Sequence, residues 1–532
     1  MTEMDDRRDD APALDAIELE VFKHLFASAA EEMGVRLMRS AYSPNIKERR
    51  DFSCALFDAA GQMIAQAAHI PVHLGSSPLS VQAIIERFDP GTMRSDDRFI
   101  VNDPFAGGTH LPDITVVAPC FVGGEDRPRF FVANRAHHAD VGGKTAGSLP
   151  ISTSIDEEGV RIAPARIDDE LIDWLCERTR TPGERRGDLR AQLAALDVGI
   201  DRLQSLCDRH GAARIAQAGA ALMDYTAKFT RSLIASLPDG VYHFRDYMDD
   251  DGHGTIDIAI RCTLTIAGDR ATVDLTASDD QVTGPVNAVR AIALSAAMYV
   301  FRCLAPAEIP SNSGVLRSVE VLTRRGSVVD ALPPAAVAGG NVETSQRIVD
   351  VIFGALARAL PDVVPAASAG SMNNLTVGGR DTRVEPAAPF AYYETLAGGA
   401  GGGPDGAGGD ALHTHMTNTR NTPIEALEHA YPLLVETYAI RRGSGGAGLH
   451  RGGDGLVRRY RFDVPVELTL LTERRRHRPY GLAGGSPGKA GVNTRIGIDG
   501  TRKPLAAKCT VDLAAGEAVE IETPGGGGWG QR

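Results

Sequence analysis

Two strand-like apolar runs, each adjoining a His–Asp pair, most constrain how this chain can fold. Residues 114–122 (ITVVAPCFV) follow the loop NDPFAGGTHLPD, and residues 130–136 (FFVANRA) lead into HHADVGG. The connector between them, GGEDRPR, is rich in turn-forming residues. This pattern predicts a β-hairpin whose turn centres near Asp126.

Symmetric pairing about that turn determines which polar residues meet at the open end of the hairpin. It places Asp113 opposite residues 137–139, next to His137. His110 lies three residues upstream, in a glycine loop that can fold back over the same end. We therefore expect His110, Asp113 and His137 to lie close together. Asp140, in the sequence DVGG, is predicted to support a histidine or to form the turn itself.

A second predicted hairpin supplies another carboxylate. Residues 52–57 and 63–67 flank the turn DAAG, and Asp51 stands at their open end. With Asp51 included, the candidate site has two histidines and two aspartates, a donor set that borderline divalent metals accept. The residues alone leave two alternatives open, a metal site or a set of separate loop-capping groups.

His69 and His73, in HIPVHLGS, are four residues apart, which is the spacing of helical zinc motifs. Pro71 lies between them and disfavours a helix, and no glutamate follows His69. Pocket lining or a structural hydrogen bond is therefore favoured over metal ligation for this pair.

Helical periodicity and turn signals organise the rest of the chain. Amphipathic helices over 188–207 and 215–233 form a predicted helical hairpin that ends at SLPDG. The segment GGNVETSQRI is predicted to enter a further helix at about Glu343 through a plain turn. The predicted fold class is α+β (mixed α/β) and multi-domain. The predicted divisions are a disordered tail (1–14), a metal-bearing N-terminal domain with a β-sheet and the helical hairpin (15–238), a central α/β domain with a Gly-rich loop (239–440) and a β-rich C-terminal region (441–532).

Residues 397–410, AGGAGGGPDGAGGD, form the most flexible-looking stretch of the sequence. Two interpretations are open for it. It is either a mobile loop over a site or a short linker between domains.

Composition and charge exclude several functional classes. A formal net charge of −13 argues against broad nucleic-acid binding. No run of about 18 apolar residues is present to predict a membrane span. The acidic N-terminus lacks the apolar core of a secretory signal. The seven cysteines are scattered, odd in number and without a CxxC pair, which is typical of a reduced, cytoplasmic protein.

A phosphate-binding loop is nearly present but incomplete. The pattern GxxxxGK[ST] fits Gly143-Lys144-Thr145, but the required upstream glycine position holds His138. We therefore expect this chain not to bind a nucleotide by that route.

Long motifs spread over nearly the whole chain, beyond roughly its first fifteen residues, resemble the hydantoinase B/oxoprolinase family. They are RSAYSPNIKERRDFSCALFD, AHIPVHLGS, NDPFAGGTHLPDITVVAP, AHHADVGGKTAGS, GGNVETSQRI, YYETLAGGAGG, MTNTRNTPIEALE, SGGAGLHRGGDGLVRRYRF and TPGGGGWG.

The resemblance implies a B-type subunit of an ATP-dependent enzyme that hydrolyses hydantoin, 5-oxoproline or lactam rings. It also implies a divalent metal (Zn, Mn or Fe) held by Asp51, His110, Asp113 and His137. ATP and Mg²⁺ are expected on a separate A-type subunit of a hetero-oligomer, which agrees with the missing phosphate loop. Related chains are subunits of acetone and acetophenone carboxylases.

The implied reaction has two stages. The A-type partner phosphorylates the amide oxygen, and water then opens the activated ring at the metal site. His73 and His138 are the candidate general bases. The alternatives are a subunit of an ATP-dependent ketone carboxylase and a non-catalytic assembly subunit. The residues do not indicate which cyclic amide is the substrate.

Overall fold

The structure is a computed structural model that describes residues 14–67 and 70–531. His69, and the predicted disordered tail apart from its last residue, lie outside the described residues. Within them the chain is a mixed α/β protein with several sheets, which confirms the predicted fold class.

The helices and strands of the described residues are numbered in chain order. The helices are α1 (Ala16–Ser40), α2 (Pro44–Lys47), α3 (Ser77–Arg87), α4 (Asp169–Cys176), α5 (Pro182–His210), α6 (Ala212–Ala235), α7 (Arg290–Cys303), α8 (Ser345–Ala359) and α9 (Ile424–Ala430). The strands are β1 (Phe52–Asp58), β2 (Met63–Gln66), β3 (Phe99–Val101), β4 (Asp113–Cys120), β5 (Phe130–His137), β6 (Ala165–Arg166), β7 (Gly240–Asp250), β8 (Ile256–Ala267), β9 (Arg270–Asp274), β10 (Val319–Leu322), β11 (Asn374–Asp381), β12 (Ala388–Glu394), β13 (Leu433–Arg441), β14 (Gly455–Phe462), β15 (Val466–Leu471), β16 (Val492–Ile496), β17 (Arg502–Leu505), β18 (Lys508–Leu513) and β19 (Ala518–Glu522).

The N-terminal sheet has the strand order β2-β1-β5-β4-β3-β6, with every neighbouring pair antiparallel. Both predicted hairpins are confirmed, and Asp113 lies opposite His137 as the symmetric count requires. Strand β1 also pairs with β5, which sets Phe52 opposite Ala136 and brings Asp51 next to His137. The two central strands β4 and β5 are buried along their whole length, which explains their nearly continuous apolar runs.

The predicted helical hairpin is confirmed as α5 and α6, which join at Gly211 with φ +86°. Helix α5 lies against β4 and β5, and α1 packs against α5. Gly199 permits this close helix contact, because a Cβ there would lie 2.5 Å from Sδ of Met33. These helices therefore cover one face of the sheet that carries Asp113 and His137.

The described residues form three further sheets, ordered β10-β9-β8-β7, β12-β11-β15-β18 and β13-β14-β19-β16-β17. Helix α8 packs on β7 and β8. Strand β11 pairs with β15, so strands from both sides of the predicted boundary at residue 440 share one sheet. The C-terminal region is rich in strands and glycine turns, as its sequence pattern predicts.

Residues 397–410 are mostly buried or half-buried, with Asp405 and Ala407 exposed, and their packing does not fit the interpretation as a mobile loop or linker. Their backbone hydrogen-bonds to other glycine-rich segments, for example from Gly402 N to Gly527 O (2.9 Å) and from Gly453 N to Ala400 O (2.8 Å). The backbones approach so closely that a Cβ on Gly453 would lie 1.9 Å from the carbonyl oxygen of Gly409. Glycine is required here for backbone-to-backbone packing rather than for flexibility.

Within residues 14–67 and 70–531, none of the helices has both the length and the apolar character needed to cross a membrane.

Candidate metal centre

The sheet register alone brings Asp113 and His137 together at the open end of the β4–β5 hairpin. Nδ1 of His137 lies 3.2 Å from Oδ1 of Asp113. Both residues are almost completely buried, with 1% of the surface of Asp113 and 2% of that of His137 exposed. The ring of Tyr393 stacks on His137 at 4.5 Å between centroids, and the guanidinium of Arg49 covers the Tyr393 ring at 4.7 Å.

His110 reaches the same carboxylate from the glycine loop before β4. Its Nε2 lies 3.1 Å from Oδ1 of Asp113, and its Nδ1 lies 3.3 Å from the carbonyl oxygen of Ala338. Because a carbonyl only accepts hydrogen bonds, this contact places a proton on Nδ1 and leaves Nε2 facing Asp113, whose negative charge outweighs burial and raises the pKa of His110. The loop can approach because Gly107 has φ +91°, and a Cβ on it would lie 2.6 Å from the carbonyl oxygen of Leu79.

His73 also lies at the candidate centre, although its motif favoured pocket lining or a structural hydrogen bond. Its Nδ1 lies 2.8 Å from Oγ of Ser53, and its Nε2 lies 3.4 Å from Oδ2 of Asp113. The hydroxyl of Thr109 donates to the same Oδ2 at 2.8 Å. The structural hydrogen bond is therefore present, and it orients the ring toward Asp113.

Asp51 lies next to the centre but its carboxylate is not part of the tightest group of donors. Its carbonyl oxygen accepts from the backbone N–H of His137 at 3.0 Å, and its carboxylate lies 3.8 Å from the guanidinium of Arg49. Burial raises the pKa of Asp51, and the nearby His137 and Arg49 side chains only partly oppose that rise. The Asp51 carboxyl group thus lies at the edge of the centre, where burial favours its neutral form.

His138 lies on the other face of β5 from His137. Its Nε2 is 2.9 Å from the side-chain oxygen of Gln192 on α5, the residue whose carbonyl also accepts from Asn134. Burial lowers the pKa of His138 to about 4. The structure therefore separates the two candidate bases, with His73 at Asp113 and His138 under the helical hairpin.

Among the residues that the structure describes, Asp140 does not belong to a cluster of potential metal ligands and does not contact a histidine. Its carboxylate accepts from the backbone N–H of Arg180 at 2.7 Å and from the Arg180 guanidinium at 2.9 Å. It ties the loop after β5 to the segment before α5. This long-range contact corresponds to neither of the two predicted roles.

The electrostatics of the centre favour an anionic Asp113. Burial opposes its ionisation, but the nearby imidazoles of His110, His137 and His73 outweigh that cost and hold its pKa well below the usual range. Burial also lowers the pKa values of His73 and His137, so both rings are neutral near pH 7.

The donor atoms present fit a divalent metal. One ligand atom from each of His110, Asp113 and His137 lies within 4.8 Å of the others. Nε2 of His137 is buried and has no hydrogen-bond partner among residues 14–67 and 70–531. A set of imidazole nitrogens around a buried carboxylate is the donor chemistry that Zn, Mn and Fe sites use.

Sequence reasoning missed Asn341, which lies at the same centre. Its Nδ2 is 3.1 Å from Nε2 of His110 and 3.2 Å from Oδ2 of Asp113. The residue sits in a π-helical turn, Gly340–Thr344, immediately before α8. Such turns often mark functional sites, but nothing in the motif GGNVETS distinguishes it from the plain turn predicted there.

Known proteins resemble this chain over most of its length. It is 41% identical to 5-oxoprolinase 1 of Arabidopsis thaliana, in an alignment that covers 97% of this chain and 42% of the relative. It is 29% identical to a putative B-type D-/L-hydantoinase subunit of Pseudomonas sp. (strain NS671), covering 98% and 91% of the two chains. The chain thus spans about two fifths of the length of the 5-oxoprolinase it matches.

Solved structures share the fold. The ATP-dependent caprolactamase from Pseudomonas jessenii superposes with a TM-score of 0.90 at 27% identity, covering 98% of this chain and 92% of the other. A nucleotide-free acetone carboxylase superposes with a TM-score of 0.86 at 18% identity, covering 97% and 76%, a likeness of fold alone. The family model for hydantoinase B/oxoprolinase matches residues 15–532. With that match across nearly the whole sequence, the chain belongs to the hydantoinase B/oxoprolinase family.

Proposed function

We propose that this chain is the metal-bearing, hydrolytic B-type subunit of an ATP-dependent enzyme that opens cyclic amides. The observation that carries the proposal is the buried group of His110, Asp113 and His137, whose donor atoms converge within 4.8 Å. The relatives' names (5-oxoprolinase, D-/L-hydantoinase and caprolactamase) all refer to cyclic amides. That common chemistry defines the proposed substrate class: a hydantoin, 5-oxoproline or a lactam.

The ATP-using half of the reaction is assigned to an A-type partner. This chain lacks a complete phosphate loop, and it corresponds to only part of the 5-oxoprolinase it matches, while a second relative is named as one subunit of a hydantoinase. An unstrained amide carbon is a poor electrophile, so phosphorylation of the amide oxygen by the partner would precede ring opening. The proposed assembly is therefore a hetero-oligomer in which ATP and Mg²⁺ are held by the A-type chain.

His110, Asp113 and His137, with Asp51 at the edge, would hold the divalent cation. A cation held there supplies Lewis-acid polarisation of a carbonyl and of water. The anionic Asp113 carboxylate would anchor the cation, and the Ala338 carbonyl, which holds a proton on Nδ1 of His110, would leave Nε2 as the atom that binds it. Burial of the centre shields an activated, phosphorylated ring from bulk water.

We assign proton transfer to His73 rather than His138. Burial lowers the pKa of His73, so the neutral ring is available to accept a proton near pH 7. The Asp113 carboxylate, 3.4 Å from its Nε2, would stabilise the resulting positive charge. His138 lacks such a contact with the described residues of the centre, since its Nε2 bonds to Gln192.

The test of the reaction is reconstitution with an A-type partner. Co-expression of the two chains, followed by an ATP-dependence screen over hydantoin, N-methylhydantoin, 5-oxoproline, caprolactam and simple ketones, is expected to give ring-opened product only with ATP. Turnover of ketones alone, with a requirement for bicarbonate, would overturn the hydrolase proposal in favour of the carboxylase alternative.

The metal centre is tested on the purified chain. We expect stoichiometric divalent metal in the wild type and loss of that metal in His110→Ala and Asp113→Ala, because each change removes a donor from a group of three. Elemental analysis after dialysis measures the content, and thermal melting checks that each variant is folded. His138→Ala is the matched control, since the neighbouring ring faces α5. Metal-free wild type would support the assembly-subunit alternative, and full metal in both donor variants would overturn the assignment of the site to these residues.

A further inference from the structure

We propose that Asn341 is an additional metal ligand, acting through its amide oxygen Oδ1. The inference rests on the proposed metal centre and extends its donor set to a residue more than 200 positions further along the chain. Asn341 is 4% exposed and lies directly against His110 and Asp113.

The distances from the Asn341 amide to its neighbours match the distances between ligand atoms that bind the same cation. The amide end lies 3.1 Å from Nε2 of His110 and 3.2 Å from Oδ2 of Asp113. The other contacts of the centre are similar: Asp113 Oδ1 lies 3.1 Å from His110 Nε2 and 3.2 Å from His137 Nδ1. Neighbouring ligand atoms of an octahedral ion with bonds of about 2.1 Å lie about 3.0 Å apart. The Asn341 amide therefore lies at the position of a further ligand in such an octahedral site.

The charges dictate which end of the amide faces a cation. In the structure Nδ2 donates toward His110 and Asp113, while Oδ1 is buried and finds no partner in the part of the chain that the structure describes. The N–H₂ group carries partial positive charge, so a cation bound to His110 and Asp113 repels it. A half-turn about the Cβ–Cγ bond exchanges the two ends of the amide. The rotated oxygen would face a carboxylate oxygen, an arrangement that is favourable only with a cation between them.

The backbone around Asn341 holds the residue in place. Gly340 packs so tightly that a Cβ on it would lie 2.0 Å from the carbonyl oxygen of Asn287. Two residues beyond Asn341, the Glu343 carboxylate accepts from the N–H of Met372 at 3.0 Å. The π-helical turn is therefore fixed on both sides of Asn341, which limits its freedom to the side chain.

An amide oxygen also alters the metal preference of the site. Two imidazoles with one carboxylate suit tetrahedral zinc, and the Asp51 carboxyl group at the edge would complete four protein ligands. A neutral oxygen donor added to that set favours ions that accept five or six ligands and oxygen donors, such as Mn²⁺.

The proposal is tested on the purified full chain with Co²⁺ and Mn²⁺ as probes. In Asn341→Leu, which keeps the size but removes the oxygen, we expect affinity to fall about 10- to 100-fold. The weak visible absorption of five- or six-coordinate Co²⁺ should change toward the stronger absorption of a four-coordinate ion. In Asn341→Asp, which supplies an oxygen but no N–H, we expect affinity equal to or higher than that of the wild type. Competition with a chelator measures affinity, so enzyme activity is not needed.

Two controls separate the outcomes. Asn312→Leu alters a buried asparagine outside the centre, whose Nδ2 lacks a partner among the described residues, and should leave affinity and spectrum unchanged. Wild-type affinity and spectrum in Asn341→Leu, with metal lost in His110→Ala, would overturn the role of Asn341 and leave the metal centre standing. Equal weakening by Leu and Asp, with an unchanged spectrum, would also overturn it, because the N–H₂ group would then be the part that matters. A wild type that binds neither probe would instead remove the metal centre itself.

Discussion

At the scale of residues, the candidate centre converges on the Asp113 carboxylate. Three imidazoles, a hydroxyl and an amide reach it, from His73, His110, His137, Thr109 and Asn341. The imidazoles hold its pKa well below the usual range, so the group is anionic near neutral pH despite its burial. A buried carboxylate with three imidazoles around it is a donor set that a divalent cation can use.

Part of this convergence could be predicted from the sequence because it is local. Asp113 and His137 flank one hairpin, and counting outward from the turn gives their register, which the structure confirms. Asn341 could not be found in that way, since 228 residues separate it from Asp113. An asparagine that enters a site and one that caps a turn have the same local sequence signal.

Glu158 provides a pH-dependent prediction behind the centre. Its Oε1 accepts from the backbone N–H groups of Val337 and Ala338 and from the hydroxyl of Ser152. Burial, which outweighs these hydrogen bonds, raises its pKa to about 7 from 4.5. Because the folded pKa lies above the unfolded one, the stabilisation is complete below pH 4.5 and is lost as pH rises through about 7. We expect the melting temperature of Glu158→Gln, which cannot ionise, to fall less than that of the wild type across this window.

The neighbouring Glu157 is the matched control for that measurement. Hydrogen bonds from Thr153 and Lys144 outweigh its partial burial and lower its pKa, so it is ionised throughout the window. Glu157→Gln should therefore keep the wild-type dependence of melting temperature on pH. Parallel profiles for the wild type and Glu158→Gln would show that the Glu158 carboxyl does not titrate there.

At the scale of elements, strand β1 illustrates what a local pattern leaves open. Its apolar run and the turn after it predict the hairpin with β2, which the structure confirms. An apolar run of this kind is compatible with any second neighbour, so the pairing of β1 with β5 could not be predicted. That pairing brings Asp51 next to His137, and only the family resemblance pointed to it beforehand.

The glycine-rich segments give the clearest prediction at this scale. A Cβ on Gly453 would lie 1.9 Å from the carbonyl oxygen of Gly409, and neither backbone can move without breaking hydrogen bonds such as Gly453 N to Ala400 O. We expect Gly453→Ala to destabilise the protein by about 3 kcal/mol or more. A lower melting temperature in differential scanning fluorimetry is the measured result.

Gly406 lies in the same glycine-rich stretch and is the matched control. A Cβ added at Gly406 would have nothing within 4 Å, and the residue does not have a left-handed backbone conformation. Gly406→Ala should therefore change stability by no more than about 0.5 kcal/mol. Equal melting temperatures for the two alanine variants would mean that the segment adapts as a flexible loop does, in line with its appearance in the sequence.

At the scale of the whole molecule, the proposed reaction is divided between two chains. The centre is buried in the N-terminal sheet and built from residues on β4 and β5, the loop before β4, and the π-helical turn before α8. The proposed function assigns activation and ring opening to different subunits. Such a division predicts that damage to this chain uncouples the two steps and leaves the first intact.

This uncoupling can be measured in the reconstituted complex of the A-type partner with His110→Ala. In the proposed division the partner's phosphorylation step does not use His110, so ADP formation that depends on the cyclic amide should continue. Ring-opened product should fall to background, because the activated amide finds no competent centre and loses its phosphate to water. A coupled assay measures ADP, and chromatography measures the ring-opened product. The ratio of ADP to product is expected to rise sharply above that of the wild-type complex. If ADP formation falls in parallel with product while the complex stays assembled, the two steps share one site and the division between chains is wrong.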